Sequence, residues 1–172
     1  PPHHVLFRRQ RQMCIGDRII KDNNISLKKK IIKNSTLGKI LLKPTHIYVD
    51  VILDLFSKNL IKTCSHITGG GVTENLPRSI SKNTKAVIDL NKWKLPAIFK
   101  WISSFNVSQN EMLRTFNCGY GMVIIIDKKN LSRVRKVIKK YKFKSDIIGN
   151  IDIKQSAKEK SIKFIGRLNF ND

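Results

Sequence analysis

The alternation of apolar and polar positions predicts a series of short helices and strands along this chain. Apolar residues that recur at one-turn spacing are typical of helices that pack one face against a core. This spacing predicts helices over residues 25–32, 47–60, 108–116 and 131–141, and helices that start near 72 and 96. Apolar runs predict strands over 63–68, 85–90, 122–126, 146–151 and 163–168. Residues 1–13 have no such period and are expected to form an irregular basic arm.

Local signals refine these elements. Pro77 lies inside the helix predicted from residue 72 and is expected to break it. Ser108 followed by Glu111 has the spacing of a capping box, which predicts a helix start. The unbroken apolar run over 122–126 is typical of a central strand buried on both faces. Helices and strands therefore alternate along one domain, as in an α/β or α+β layer with helices against a sheet.

Composition adds a strong positive charge to this picture. The chain has 172 residues, 41% of them hydrophobic, and a formal net charge of +22. Such a charge favours contact with nucleic acid or another anionic surface. Lysine, isoleucine and asparagine share A/T-rich codons, however, so compositional drift with lysines on solvated helix faces explains the same charge. A basic nucleic-acid-binding module therefore stands as the alternative function.

The cysteine pattern and the hydropathy of the chain indicate its cellular compartment. The three cysteines have no Cys-x-x-Cys spacing, so neither a disulfide framework nor a zinc site is implied and a reducing cytoplasm is expected. No apolar stretch reaches membrane-spanning length, and no membrane partner is expected.

The densest polar segment surrounds three consecutive glycines. Gly69, Gly70 and Gly71 stand between a predicted strand and a predicted helix. The glycines alone favour a tight turn, and the alternative is a nest of backbone N–H groups that binds phosphate. Glu74 and Arg78 are four residues apart, so on one helix they share a face as an ordinary salt pair or as part of a ligand site.

Other reactive side chains are assigned structural roles. Cys118 follows Asn117 in a second glycine-containing turn, and a buried structural cysteine is the expected state of such a residue. His46 and His66 have no evident catalytic partner in the sequence, and Asp50 and Asp54 are expected on an exposed helix face. No metal site and no catalytic residue are assigned.

Three segments taken together resemble a known enzyme family. They read Leu-Leu-Lys-Pro-Thr-His-Ile-Tyr-Val over 41–49, His-Ile-Thr-Gly-Gly-Gly-Val-Thr-Glu-Asn-Leu-Pro-Arg over 66–78, and Met-Leu-Arg-Thr-Phe-Asn-Cys-Gly-Tyr-Gly-Met over 112–122. Their order and spacing resemble aminoimidazole ribonucleotide synthetase, also called phosphoribosylformylglycinamidine cyclo-ligase. The glycine stretch and the Asn-Cys-Gly block match this family better than related ATP-using domains such as selenophosphate synthetase.

The resemblance implies a fold and a domain organisation. It covers about residues 37–168 and corresponds to the C-terminal domain of the family. That domain has an α+β fold, with a mostly antiparallel sheet, helices packed on it and ferredoxin-like features. Residues 37–172 are thus expected to form the cyclo-ligase C-terminal domain. Residues 1–36 are expected to be a basic arm with a remnant of the segment between the domains, and the N-terminal ATP-binding domain is expected to be absent.

The resemblance also implies an activity. Family members are ligases of purine (IMP) biosynthesis that close formylglycinamidine ribonucleotide to aminoimidazole ribonucleotide with ATP and Mg²⁺. ATP and Mg²⁺ bind mainly to the half that is missing here, so the chain is expected to be inactive alone. Its expected partners are the small-molecule substrate and either the N-terminal half or a second copy in a cytoplasmic dimer, with nucleic acid bound only non-specifically. The expected substrate-binding residues are Thr68, Gly69, Gly70, Gly71, Glu74, Asn75, Arg78, Asn117 and Gly119.

Overall fold

The computed structural model describes residues 15–32 and 35–170. Within them the α-helices are α1 (residues 15–22), α2 (Leu37–Leu41), α3 (Val49–Ser57), α4 (Gly71–Asn75), α5 (Ala97–Ser103), α6 (Gln109–Thr115) and α7 (Leu131–Lys140). The strands are β1 (Lys30–Ile32), β2 (Ser35–Thr36), β3 (Thr63–His66), β4 (Thr84–Asp89), β5 (Met122–Ile125), β6 (Gly149–Ile153) and β7 (Ile162–Ile165). None of the helices in the described ranges has the length and apolar character needed to cross a membrane.

The strands form small antiparallel and mixed sheets. β3 and β5 pair antiparallel, with Thr63 opposite Ile125 and His66 opposite Met122. β4 lies between β6, which is antiparallel to it, and β7, which is parallel. β1 and β2 form a third, two-stranded antiparallel pair. Together with the helices these sheets confirm the predicted α+β class.

The prediction of a central position for the 122–126 strand is wrong. Within the described residues β5 pairs with β3 alone, in a two-stranded sheet. Its apolar run is explained by burial on both faces. Val123 and Ile125 pack against one hydrophobic core, and Ile124 and Ile126 pack against the other. An unbroken apolar run thus indicates that both faces of a strand are covered. It does not indicate how many strands lie beside it.

The two cores use different helices. The larger core contains buried residues of α4, α5, α6 and β4, among them Val72, Ile88 and Met112. The second core joins α3 to α7 through residues such as Leu55 and Val134. The helices predicted over 47–60 and 131–141 are confirmed, since α3 and α7 each bury one apolar face.

The predicted helix start at Ser108 and the break at Pro77 are confirmed, but Glu111 does not complete the capping box. The Ser108 hydroxyl accepts from the backbone N–H of Glu111 at 3.3 Å and caps α6. The Glu111 carboxylate accepts from the Thr115 hydroxyl at 2.8 Å. At Pro77 the chain changes from α4 to a 3-10 helix, Leu76–Ser79. The proline lies in the first turn of that helix, where its missing N–H costs no hydrogen bond.

The helix predicted over 25–32 is wrong. Residues 27–29 form a turn and residues 30–32 form β1. Gly38 N–H donates to the Leu27 carbonyl at 2.8 Å, and Leu37 N–H donates to the Lys29 carbonyl at 2.9 Å. These tertiary bonds fix the segment against the start of α2 and outweigh a weak helical period. Residues 1–14, which include the whole irregular basic arm predicted over 1–13, lie outside the described part. Residues 15–22 are helical, which was not predicted.

A charged cluster links α3 to α7 on the side of the second core. The Asp54 carboxylate pairs with Lys58 at 2.5 Å and Lys140 at 3.5 Å, and the Tyr141 hydroxyl donates to it at 3.1 Å. The expectation that Asp54 is exposed is wrong, because its side chain is only 13% exposed. The hydrogen bond from Lys58 is the main reason that the pKa of Asp54 lies below its usual value of 3.8.

The low pKa of Asp54 makes its contribution to stability pH-dependent. A carboxyl group whose pKa is lower in the folded state stabilises the fold above its unfolded pKa of 3.8 and stops doing so as pH falls through the folded pKa. We expect Asp54→Asn to lower the Tm at neutral pH, and the difference from the parent chain to shrink below about pH 4. Thermal unfolding of both proteins across this range checks it. An equal Tm difference at neutral and acidic pH would contradict the assignment.

Candidate functional site

The glycine loop (residues 68–71) is a tight turn between β3 and α4. Gly70 and Gly71 have φ angles of 106° and 56°, in the left-handed region that glycine adopts without strain. The Gly71 N–H donates to the Thr68 carbonyl at 3.0 Å and closes the turn. The backbone of the three glycines therefore forms the predicted turn. The Gly71 amide N–H is used within that turn.

The glycine loop is held against the C-terminal end of α6 by a close backbone approach. A Cβ on Gly71 would lie 2.1 Å from the Leu113 carbonyl oxygen and 2.9 Å from that of Phe116. The Thr73 hydroxyl donates to the same Leu113 carbonyl at 3.0 Å. Gly71 is thus required both for its conformation and for the room it leaves to α6.

Asn75 fixes the shape of the glycine loop. Its side-chain NH₂ donates to the Gly71 carbonyl at 2.7 Å and to the Gly69 carbonyl at 3.4 Å. The prediction assigned this side chain to a ligand held at the loop. In the structure its amide nitrogen bridges two backbone carbonyls, so Asn75 positions the loop, and its contact with a ligand stays a prediction.

The ion pair of Glu74 differs from the sequence interpretation. The Arg114 Nε atom, on α6, donates to Glu74 Oε1 at 3.2 Å, and the Glu74 side chain is 18% exposed. Arg78, the predicted partner, lies on the separate 3-10 helix Leu76–Ser79 and is exposed. Sequence reasoning missed Arg114 as a member of this group. Its position in the third family-like segment was the available signal.

The second predicted turn, the asparagine turn (residues 117–119), directly follows the end of α6. The Asn117 side-chain oxygen accepts from the Gly119 N–H at 3.0 Å, and its carbonyl accepts from the Tyr120 N–H at 3.0 Å. Gly119 has a φ of 100°, and a Cβ there would lie 2.6 Å from the Pro96 ring. The Trp93 indole N–H donates to the Cys118 carbonyl at 2.9 Å and ties the turn to the segment after β4.

Cys118 has the environment of a structural residue. Its side chain is fully buried and its thiol donates to the Met112 carbonyl at 3.4 Å. Burial raises the pKa of the Cys118 thiol to about 12. The thiol is therefore protonated at neutral pH, which does not suit a nucleophile.

The two histidines meet at an aromatic cluster beside the glycine loop. Tyr48 stacks on Phe143 at 5.4 Å between ring centroids, and it meets the His46 and His66 rings edge-on at 6.3 and 5.9 Å. The Tyr48 hydroxyl lies only 2.4 Å from where a Cβ on Gly121 would be, which explains the glycine at that position. This cluster joins all three family-like segments.

The site residues therefore form one connected group. The glycine loop packs on the end of α6, the asparagine turn continues from α6, and Glu74 joins α4 to α6 through Arg114. Thr68, Arg78, Arg114 and Gly119 are exposed, while Gly69, Asn75 and Asn117 are half-buried. Gly70 and Gly71 are buried, and their role is to allow the backbone conformation of the turn. Arg114 is exposed within this group, and the exposed Arg78 follows on the 3-10 helix after α4; arginines near accessible backbone suit an anionic ligand.

Comparison with known proteins identifies the family of the chain. The family described as AIR synthase related protein, C-terminal domain, matches residues 18–160. The chain belongs to this family. The AIR synthase match begins inside the segment 1–36 that was assigned to the arm and remnant, and the boundary at residue 37 remains a prediction.

Relatives of this chain are named as enzymes and are longer than the chain. A phosphoribosylformylglycinamidine cyclo-ligase of Ligilactobacillus salivarius is 38% identical over 147 residues, which are 84% of this chain and 43% of that protein. One of Neisseria gonorrhoeae is 43% identical over 122 residues, which are 70% of this chain and 36% of that protein. The chain thus aligns with less than half of each of these relatives.

Proposed function

We propose that this chain is the C-terminal half of a purine-biosynthesis cyclo-ligase. In this role it supports the ATP-dependent closure of formylglycinamidine ribonucleotide to aminoimidazole ribonucleotide and is inactive by itself. The observation that carries the proposal is the family match over residues 18–160, with relatives named phosphoribosylformylglycinamidine cyclo-ligase. The packing of Gly71 on the Leu113 and Phe116 carbonyls adds support, because it holds the glycine loop beside the residues that lead into the asparagine turn.

The residues of the site divide into positioning and binding roles under this proposal. Asn75 and the Glu74–Arg114 pair hold the glycine loop in shape. Thr68, Arg78, the half-buried backbone at Gly69 and the exposed backbone at Gly119 are assigned to face the substrate. Arginine donates paired hydrogen bonds to phosphate, so Arg78 is assigned to the substrate phosphate. Asn117 orients the turn that carries Gly119. Such groups accelerate a reaction by positioning and by stabilising negative charge.

We assign ATP and Mg²⁺ to the other half of the enzyme. Across residues 15–32 and 35–170, no three His, Cys, Asp or Glu side chains come together as a metal site. No residue of the described part is therefore assigned to magnesium, and no step is assigned to the ion here. This agrees with relatives that extend well beyond the aligned region.

We also propose that the partner covers an apolar surface formed by α3 and the segment that joins it to α2. Leu42 and Ile47 are more than 80% exposed, and Val49 and Leu53 are about 60% exposed. Large exposed apolar groups in one segment mark interaction surfaces. The N-terminal half, or a second copy in a dimer, is the proposed occupant. The free thiols of Cys64 and Cys118 support a cytoplasmic site of action.

The finer fold assignment belongs to the same proposal. The order β3–α4–β4 followed by β5–α7–β6 supports a ferredoxin-like arrangement, with α5 and α6 inserted between the two units. Nucleic acid is proposed to bind only through the general charge of the chain.

A reconstitution experiment tests the function. The purified chain is mixed with the separately expressed N-terminal half of the Ligilactobacillus salivarius relative, and ATP-dependent ring closure is measured. We expect activity in the mixture and none with either half alone. The matched control is the relative's own C-terminal half in place of this chain. If that control is active while the folded chain is not, the chain is not a working half of the enzyme.

A further inference from the structure

A cavity outside the glycine loop lies beside the segment that joins β4 to α5. It has a volume of about 580 Å³, within the range of small-ligand sites. The basic pocket, as we name it, is lined by polar groups from separate elements: Asn91, Lys92, Lys94, Lys100 of α5, Arg135 of α7 and Asp146. The residues of the glycine loop do not line it.

The charge of the basic pocket is strongly positive. Four cationic side chains line it against one carboxylate, that of Asp146. Asp146 is itself engaged, since Lys94 forms an ion pair with it and the Tyr120 hydroxyl donates to it at 3.1 Å. The hydrogen bond from Lys94 is the main reason that the pKa of Asp146 lies below its usual value. Lys92 is also paired, with Asp89 at 3.2 Å, and the lining still has more cations than carboxylates.

A buried frame fixes the floor of the basic pocket. Trp93 is buried and packs edge-on against Tyr120, with 4.7 Å between ring centroids. The Tyr120 hydroxyl also accepts from the Lys94 backbone N–H at 3.4 Å. The carboxylate of Asp146 and the backbone of Lys94 are thus held by the same phenol. This frame distinguishes the pocket from the lysine-rich faces elsewhere on the chain, such as the outer side of α7.

We propose that the basic pocket binds a small phosphate-bearing anion. Charge-assisted hydrogen bonds from arginine and lysine to phosphate are among the strongest in proteins, and the pocket supplies them from several directions. Its volume admits a ligand as large as a nucleotide. The pocket adjoins the asparagine turn through Trp93 and Lys94, but none of the residues assigned to the substrate lines it, so phosphate binding here is measured independently of ring closure.

Titration of the full chain with inorganic phosphate and pyrophosphate tests the proposal. The chain has two tryptophans, so the indole N–H signals of Trp93 and Trp101 are easily followed by NMR. In about 150 mM salt, which screens weak surface contacts, we expect a saturable shift of the Trp93 signal and little change at Trp101. Tighter binding of pyrophosphate would identify a phosphoanhydride ligand, and equal binding a single phosphate group. Either result supports the site.

Two arginines on α7 provide a matched pair of variants. Arg133 and Arg135 are both exposed, but only Arg135 lines the basic pocket. We expect Arg135→Gln to weaken pyrophosphate binding by at least about fivefold and Arg133→Gln to change it by less than about twofold. Asp146→Asn removes the lining carboxylate and should strengthen binding.

Three results would overturn the inference. If the two arginine variants weaken binding equally, the binding is explained by the general attraction of a +22 chain for anions. Shifts of the Trp93 signal that never saturate would lead to the same conclusion. A short single-stranded RNA that binds through Arg135 while both phosphates fail to bind would assign the surface to a nucleic-acid polymer instead.

Discussion

Gly71→Ala is expected to lower the free energy of unfolding by about 3 kcal/mol or more, because two costs act at the same atom. Its φ of 56° is unfavourable for an L-residue, and the added Cβ would lie 2.1 Å from the Leu113 carbonyl oxygen. The contact is with backbone, so it is relieved only if α6 or α4 moves. Urea unfolding followed by circular dichroism measures the change, which is a large share of the stability of a typical domain.

Two other glycines provide controls for this prediction. Gly16 lies on α1 with no atom within 4 Å of its added Cβ. Gly16→Ala should therefore be neutral or stabilise the chain by up to about 1 kcal/mol. Gly70→Ala has the strained φ but meets the flexible Glu74 side chain, at 2.9 Å, so it should fall between the two. A Gly71→Ala protein as stable as Gly16→Ala would show that the loop does not approach α6 as described.

The fold was predictable wherever a local signal and the final packing agree. Ser108 caps α6 because its hydroxyl reaches an N–H in the first turn, a contact that depends on neighbouring residues alone. The amphipathic period of 131–141 likewise fixes the face of α7 that is buried against α3. The glycine loop was also predictable, since three glycines at a strand end leave few alternatives to a turn.

The remaining features depend on contacts between distant residues. The partner of Glu74 is Arg114, 40 residues away, whereas a pattern within one helix favours Arg78. The role of Asn75 depends on the carbonyls of a turn whose geometry the sequence does not specify. The segment 27–32 has a helical period, but bonds from α2 determine its shape. Such tertiary hydrogen bonds outweigh local preferences of a few tenths of a kcal/mol per residue.

Because Asn75 and Glu74 are engaged within the loop, substrate contact under the proposed function falls mainly on Arg78. We expect Arg78→Gln in the reconstituted enzyme to raise KM for the ribonucleotide substrate by about 30-fold, the worth of one hydrogen bond to a charged group. The effect on Tm should be small, since Arg78 is exposed on a 3-10 helix. Steady-state kinetics with a parallel thermal unfolding measurement separates the two effects.

Lys82→Gln is the control for Arg78→Gln. Lys82 is also an exposed cation, lies four residues further along the chain and is outside the glycine loop. It carries the same unit charge, so a general electrostatic attraction of substrate predicts similar changes in KM for both variants. A specific phosphate contact predicts a change for Arg78→Gln alone. If the enzyme is active and its KM is unchanged by Arg78→Gln, Arg78 does not belong to the site. The phosphate would then be assigned to another cation, such as Arg114, which is linked to the loop through Glu74.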